Sequence, residues 1–185
     1  MARLIRFVVL SLIAAASLLT ASVQAAVEPG RRAPQLDVRL IDGTTLSRAE
    51  LRNKVVLTVF WATWCPICMR ELPEYQQLRD RHQAAGLEVL AISVDDEPGV
   101  VREYLQRSRL SIPIAMRTWQ LKAAWGPVQG TPLLYLTDRA GVLRVRHLGA
   151  VELDALERQI ASLLAEEPRS DDEADVRAPA PPVLP

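Results

Sequence analysis

The alternation of hydrophobic and polar positions divides the chain into short strands and helices. Two nearly unbroken apolar runs, VVLTVFW at 55–61 and LEVLAISV at 87–94, are typical of strands that are buried on both faces of a sheet. Between them, residues 66–85 follow a helical pattern, and Gly86 is expected to end that helix as a C-terminal cap. The order strand, helix, strand is the beginning of an α/β architecture.

The remaining segments alternate between the two kinds of pattern. Near the start, residues 35–41 alternate as a strand does, and DGTT at 42–45 supplies a turn, which predicts an N-terminal hairpin. The later segments are a helix within 95–108, a strand at 112–116, a helix at 118–126, a hairpin-like pair at 132–138 and 142–149, and an amphipathic helix at 151–167. The pattern as a whole predicts an α/β fold with a mixed central β-sheet flanked by helices.

The N-terminus has a composition unlike that of the middle of the chain. A short basic start is followed by an apolar run at 7–19 and by small residues before a predicted cut after Ala25. This is the layout of a secretory signal peptide. An N-terminal membrane anchor over 1–25 is the alternative, because the apolar run could be extended to the roughly 20 residues of a membrane span. Either way, the globular part is expected outside the cytoplasm.

The C-terminus and the overall charge narrow the choice of partners. Residues 167–185 are acidic and then rich in Pro and Ala, so we predict a disordered tail after a single domain at 26–166. The chain has 22 Lys and Arg against 22 Asp and Glu, a formal net charge of zero. A nucleic-acid-binding protein needs a concentrated basic face. We therefore expect no nucleic-acid partner. We also expect the protein to be a monomer.

The only two cysteines, Cys65 and Cys68, lie within FWATWCPICMRELP at 60–73. Pro66 is well placed as the first residue of the helix, so Cys65 is expected in the N-cap region, where backbone N–H groups and the helix dipole stabilise a thiolate. Cys68 lies one helical turn further on, and its sulfur can meet that of Cys65. A disulfide across so small a ring stabilises a fold very little, which favours a redox couple.

The same pattern is compatible with three other roles for the cysteines. A zinc site could recruit His82 and His147, but structural zinc sites usually show paired spacings at both ends. A permanent structural disulfide is the second. The third is a peroxidase, whose attacking Cys usually has a Thr three positions earlier, whereas this chain has Ala62 there and Thr63 one place too late. We expect neither a metal ion nor a bound cofactor, because the two sulfurs can carry the electrons.

The cysteine segment resembles that of a known family. VVLTVFWATWCPICMRELP at 55–73 is similar to the active-site strand and helix of the bacterial thioredoxin-like thiol-disulfide oxidoreductases of the TlpA/ResA/CcmG group. The resemblance extends from about Gly30 to Leu164. It includes the pattern C-x-x-E-x-P and the segment GTPLLYLTDRAGVLRVRHLG at 130–149, which is similar to the cis-proline strand of the family and its hairpin partner.

The resemblance implies a fold and a location. The fold is the thioredoxin fold, and residues 95–130 correspond to the extra strand and helix that the family inserts into its centre. Members of the group work in the periplasm or on the outer face of the cytoplasmic membrane. A periplasmic protein, either released after signal cleavage or tethered to that membrane, is therefore expected.

The resemblance also implies roles for the residues around the cysteines. Cys65 would attack a partner's disulfide, and the Thr131–Pro132 peptide bond would be cis and would face Cys65. Together with Trp64 and Pro66, these two residues would form the groove in which the partner docks. For Trp64 the sequence itself is compatible with two interpretations, a ring that shields the disulfide and a plain packing aromatic.

Glu71 lies three residues after Cys68 and shares its face of the helix. Ordinary thioredoxins carry a buried Asp six residues before the first cysteine, a position that is Val59 in this chain. The resemblance implies that Glu71 replaces it as the general base for Cys68, the cysteine that resolves the mixed disulfide. A solvent-facing helix glutamate is the alternative. A carboxylate near the thiols would also raise their pKa values.

These observations predict an exported reductase of disulfides in partner proteins, such as an apocytochrome c or a copper-site protein. A membrane thiol-disulfide carrier would supply the electrons. Pro-Ile between the cysteines lacks the His that would strongly stabilise the Cys65 thiolate, which favours a reductase. A disulfide-forming oxidant shares every motif and remains an alternative. A copper chaperone that uses His147 is another, although such proteins typically separate their cysteines by three residues.

Overall fold

The computed structural model describes residues 27–167. The predicted signal peptide or anchor at 1–25 and residues 168–185 of the predicted tail lie outside the described residues. Within 27–167, none of the helices combines the length and the apolar composition that a membrane crossing requires.

A small two-stranded hairpin precedes the main sheet. Strand β1 (Val38–Arg39) pairs antiparallel with β2 (Thr45–Leu46), and the Asp42 carboxylate closes the turn by accepting from the Thr44 N–H and hydroxyl at 2.8 and 2.7 Å. The predicted hairpin is confirmed, but its first strand is much shorter than 35–41. At its C-terminal end, Ile41 donates its N–H to the Ile114 carbonyl oxygen, so this end of the segment leaves the hairpin and joins the edge of the main sheet.

The main sheet has five strands of mixed direction. They are β3 (Val55–Trp61), β4 (Leu87–Ser93), β5 (Ile114–Met116), β6 (Leu133–Thr137) and β7 (Leu143–Leu148). Their order across the sheet is β5-β4-β3-β6-β7, with β3, β4 and β5 parallel and with β6 and β7 antiparallel to their neighbours. Strand β3 lies in the middle and all of its residues are buried, as the unbroken apolar run predicted.

Within residues 27–167, four α-helices cover the sheet. They are α1 (Pro66–His82), α2 (Pro98–Arg107), α3 (Trp119–Trp125) and α4 (Leu153–Ala165). One apolar cluster holds buried side chains of α1, α2 and α4 against one face of the sheet, and a second holds α3 and the hairpin against the other face. After α1 a 3₁₀ turn runs to Ala85, and Gly86 ends it at φ 104°, which confirms the predicted cap.

Candidate active site

The two cysteines lie where the central strand β3 passes into α1. Cys65 is the N-cap residue of α1, with extended backbone angles, and Pro66 is the first helical residue. The Cys68 N–H is one of the helix-terminal donors that lack a partner inside the helix, and it donates to Cys65 Sγ at 3.2 Å. The sulfurs are joined in a disulfide with the Cα atoms 5.3 Å apart, and both residues are buried.

The Thr131–Pro132 peptide bond is cis and faces the disulfide, as the resemblance implied. Sheet pairing brings it there, because β6 begins at Leu133, whose partner on β3 is Phe60, close to the end of that strand. The carbonyl oxygen of Thr131 lies 3.6 Å from Cys65 Sγ. The Thr131 hydroxyl is buried and, among the described residues, has no hydrogen-bond partner.

An exposed aromatic side chain stands beside the disulfide. Trp64 is 67% exposed although it immediately precedes the buried Cys65, and Pro66 on the other side is also exposed. The interpretation of Trp64 as a plain packing aromatic is therefore wrong. Trp119, at the start of α3, is 75% exposed and follows the carboxyl end of β5, the same edge of the sheet at which β3 delivers Cys65.

Glu71 is buried, 7% exposed, on the face of α1 that also carries Cys68. Its Oε2 accepts from the Tyr75 hydroxyl at 2.6 Å, and its Oε1 accepts from the backbone N–H of Val151 at 3.0 Å. Burial, and then the adjacent Glu71 carboxylate, raise the pKa of Tyr75 far above its ordinary value. The solvent-facing alternative for Glu71 is thus wrong. Val59 is buried in the apolar cluster that includes both cysteines.

Asp95 holds the segment before the cysteines, and sequence reasoning missed it. Its carboxylate accepts from the Thr63 N–H at 3.0 Å, from the Thr63 hydroxyl at 2.7 Å and from the Ser93 hydroxyl at 2.7 Å. These bonds tie the loop between β3 and α1 to the end of β4. A signal was available, because an acidic residue just after a buried parallel strand lies at the carboxyl edge where α/β folds place their sites.

Neither histidine joins the cysteines. His82 Nε2 lies 2.8 Å from a carboxylate oxygen of Glu157 on α4, and His147 Nε2 lies 2.7 Å from the carbonyl oxygen of Ala150. Within 27–167, no group of three or more His, Cys, Asp or Glu side chains is placed to hold a metal ion. The ligand set that the zinc and copper alternatives require is therefore not brought together in this part of the chain.

The arrangement suits thiol–disulfide exchange. A sulfur at a helix N-terminus receives a backbone N–H, which favours its thiolate form, and thiolates are the species that attack disulfides. The second cysteine is within bonding distance, so the pair can open and close while the fold stays intact. Fold and site together define a thioredoxin-fold thiol-disulfide oxidoreductase.

Comparison with known proteins agrees with this class. A family model described as AhpC/TSA matches residues 29–146, and the chain belongs to the AhpC/TSA family. Thiol-disulfide oxidoreductase ResA of Geobacillus thermodenitrificans is 30% identical over 139 residues, covering 75% of this chain and 79% of that protein. The thioredoxin-like protein YneN of Bacillus subtilis is 28% identical over 137 residues, covering 72% of this chain and 79% of that protein.

Solved structures give the same result. The Chlorobium tepidum protein described as a thiol:disulfide interchange protein DsbE has a TM-score of 0.68 and 28% identity, and the match covers 76% of this chain and 100% of that one. The resemblance to the ResA group, the thioredoxin fold and the oxidoreductase activity predicted from the sequence are confirmed.

Proposed function

We propose that this protein works outside the cytoplasm as a monomeric reductase that opens disulfides in partner proteins. The observation that carries the proposal is the placement of Cys65 Sγ, which lies at the N-terminus of α1 with the Cys68 N–H at 3.2 Å and the Thr131 carbonyl at 3.6 Å. The sulfur that attacks is thereby stabilised by a backbone donor and lies beside a backbone edge on which a partner can dock.

The proposed reaction moves two electrons to the client and needs no bound cofactor. In the dithiol form, the Cys65 thiolate attacks one sulfur of the client disulfide, that bond breaks, and the second client sulfur leaves as a thiolate. Cys68 then loses its proton to Glu71 and attacks Cys65 Sγ. The first client sulfur leaves, and the Cys65–Cys68 disulfide forms. A thiol pair of a membrane carrier reverses these steps and restores the dithiol.

The docking groove is proposed to comprise Trp64, Pro66, Thr131 and Pro132. Two observations support it. Trp64 and Pro66 are exposed next to a buried sulfur, so a partner must contact them in order to reach it. The Thr131 carbonyl oxygen lies 3.6 Å from Cys65 Sγ, which supports a backbone edge along which an extended client segment can run.

The direction of electron flow is inferred from charge. Glu71 is a buried carboxylate on the same face of α1 as Cys68, and a negative charge near the thiols opposes the formation of a very stable thiolate. Strong oxidants in this fold depend on such a thiolate, because it stabilises their reduced form. Pro66 and Ile67 between the cysteines add no cation that would offset the carboxylate.

Location and partners are supported by sequence and by the names of the relatives. Residues 1–25 have the layout of a signal peptide or an anchor, which supports a periplasmic location. The DsbE-type neighbour is described as a thiol:disulfide interchange protein, which supports clients that carry cysteine pairs. Apocytochrome c and copper-site proteins are the clients that we propose.

The test is the equilibrium reduction potential of the Cys65–Cys68 couple, measured against glutathione or dithiothreitol with Trp fluorescence as the readout. Thioredoxin lies near about −270 mV and the oxidant DsbA near about −120 mV. A potential near the first value is the expected result. A potential near the second would overturn the proposed direction and would make the protein a disulfide-forming oxidant.

A Cys68→Ser variant tests the assignment of the two cysteines. With the resolving thiol removed, client proteins should accumulate as mixed disulfides on Cys65, and reducing gels of the captured complexes identify them. Cys65→Ser is the matched control and should capture none. Capture by the control and not by Cys68→Ser would reverse the two roles.

A further inference from the structure

A cavity lies on the face of the sheet that the hairpin and α3 cover, and no part of the cysteine segment lines it. It has a volume of about 620 Å³ and opens between residues 32–38, residues 48–54 and the turn at 139–141. We propose that it is a binding site for a small amphipathic carboxylate, with the anionic group at a basic rim and the apolar body on the floor. This site is independent of the proposed reductase function.

The floor of the cavity is apolar. It is formed by buried side chains of the sheet, of α3 and of the hairpin, namely Val38, Val56, Leu90, Leu121 and Trp125. An apolar body placed there would leave water for a hydrocarbon surface, which is the main favourable contribution in small-molecule pockets. The volume lies within the roughly 300–1,000 Å³ of known ligand sites.

The rim of the cavity is basic. Five of its lining side chains are cationic and none is acidic, and these five are Arg32, Arg48, Arg52, Lys54 and Arg139. In a chain with equal numbers of acidic and basic residues, this separation of charge defines the ligand as an anion. Guanidinium groups bind carboxylates through paired, charge-assisted hydrogen bonds, so a carboxylate head group fits this rim.

Not all five cations are free to bind a ligand. Lys54 pairs with Glu88 at 3.5 Å, and the Arg139 guanidinium donates to backbone carbonyls of Asn53, Ala85 and Leu164. Arg32 donates to the carbonyl oxygen of Ala140 at 3.1 Å. These three cations hold the walls of the cavity in place.

Arg48 and Arg52 are the cations that remain for the ligand. Both side chains are exposed, and neither guanidinium has a carboxylate partner within 27–167. The nearby acids are engaged elsewhere: Asp37 accepts from the Arg48 backbone N–H at 2.8 Å, and Glu50 accepts from the Ser47 N–H and hydroxyl. We therefore assign Arg48 and Arg52 to the carboxylate.

The binding test uses the full-length oxidised protein and the fluorescent anion 1-anilinonaphthalene-8-sulfonate as the probe. The probe should bind saturably at one site, and decanoate should displace it, whereas decanol at the same concentration should not. In Arg48→Gln/Arg52→Gln, decanoate affinity should fall at least about tenfold, as expected from the loss of charge-assisted hydrogen bonds. Arg102→Gln/Arg109→Gln, which removes two exposed cations elsewhere, is the matched control and should bind as the parent does.

Backbone NMR shifts locate the site. Decanoate should shift amides within 32–38, 48–54 and 139–141 and leave those of Cys65 and Cys68 in place. Shifts centred on Trp64 or Trp119, or equal displacement by decanol, would overturn the proposal. The proposal would also be overturned if decanoate bound only after the acidic residues at 171–173 and 175 were replaced by their amides. In that case the C-terminal segment of the chain itself would occupy the cavity.

Discussion

Glu71 brings a buried carboxylate to the helix that carries both cysteines. Burying a charge is costly unless its oxygens are hydrogen-bonded, and here each oxygen accepts one bond, from the Tyr75 hydroxyl and from the Val151 N–H. The carboxylate also joins α1 to the segment that enters α4. A group held in this way keeps a fixed position on the buried face of α1 that also carries Cys68. The base role proposed for Glu71 depends on such a fixed position.

Replacing Glu71 by Gln removes the charge and retains both contacts. The amide oxygen can accept from Val151 while the amide nitrogen donates to the Tyr75 oxygen, so the variant should fold. We expect closure of the mixed disulfide by Cys68 to be at least about tenfold slower at pH 7, because general bases contribute about 10² to 10⁴ in rate. Single-turnover stopped-flow fluorescence with glutathione disulfide measures this step.

The pH dependence of that defect separates proton transfer from a merely structural role. As pH rises, Cys68 loses its proton to solvent without help, so the difference between Glu71→Gln and the parent should shrink. Glu74→Gln, a partly buried carboxylate on the same helix, is the control and should react as the parent does. A defect of constant size from pH 6 to pH 9 would contradict the base assignment.

Asp95 acts at the scale of the elements, because it connects the end of β4 to the loop that leads into α1. An Asp95→Asn variant keeps the shape of the side chain but replaces the charged acceptor of the hydrogen bonds from Thr63 and Ser93 by a neutral amide. Hydrogen bonds to charged groups contribute about 1.5–3 kcal/mol, so the free energy of unfolding in urea should fall by about 2 kcal/mol.

The neighbouring Asp96 provides a matched control. It is exposed, and Asp96→Asn should change the free energy of unfolding by less than about 0.5 kcal/mol. Equal stabilities for the two variants would show that the loop before the cysteines does not depend on the Asp95 carboxylate.

The contact between the end of α1 and α4 is an ion-pair network. Glu157 accepts two hydrogen bonds from Arg81 at 2.9 and 2.8 Å and lies 2.8 Å from His82 Nε2. The hydrogen bond from Arg81, and then that from His82, lower the pKa of Glu157 below its ordinary value of 4.5. A lowered pKa in the folded state stabilises the fold above the unfolded pKa, and this contribution is lost as pH falls through the folded value.

Glu157→Gln should therefore destabilise the protein at pH 7 and have no effect at pH 2. The Glu157 side chain is one-third exposed, so we expect the free energy of unfolding to fall by only about 0.5 kcal/mol, and by less in high salt. Urea unfolding at both pH values measures it. Glu103→Gln, in a mostly exposed pair with Arg107, is the control and should have a smaller effect at pH 7. A loss that persists at pH 2 would indicate packing rather than charge.

For the molecule as a whole, the features that depend on local pattern could be predicted from the sequence. An unbroken apolar run predicts the buried strand at 55–61. The fixed φ of proline predicts that a helix begins at Pro66, and the freedom of glycine at positive φ predicts the cap at Gly86. The position of Cys65 at a helix N-terminus follows from the same rules. These are interactions between residues close together in the chain.

Features that depend on distant contacts could not be predicted in this way. Nothing in the alternation at 35–41 indicates that Ile41 donates its N–H to the Ile114 carbonyl oxygen, which takes this end of the segment out of the hairpin. The partner of Asp95 is Thr63, which lies 32 residues away, and Glu71 is covered by Val151, which lies 80 residues away. The cis bond at Pro132 follows only from the resemblance, because few X–Pro bonds are cis.

The redox state of the cysteines should change the stability of the whole fold, and the sign of the change tests the proposed direction independently. If the reduction potential of the cysteine couple is lower in the folded protein than in the unfolded chain, folding favours the disulfide form. The oxidised protein is then more stable than the reduced protein, by about 1.4 kcal/mol for every 30 mV between the two potentials. A reductase should therefore unfold at higher urea concentration when oxidised than when reduced. The buried Glu71 carboxylate supplies a reason, since its charge disfavours a thiolate on the same face of α1.

A Cys65→Ala/Cys68→Ala variant is the control and should unfold at the same midpoint with and without reductant. A reduced form that is the more stable of the two would place the couple with the oxidants, whatever clients the Cys68→Ser variant captures.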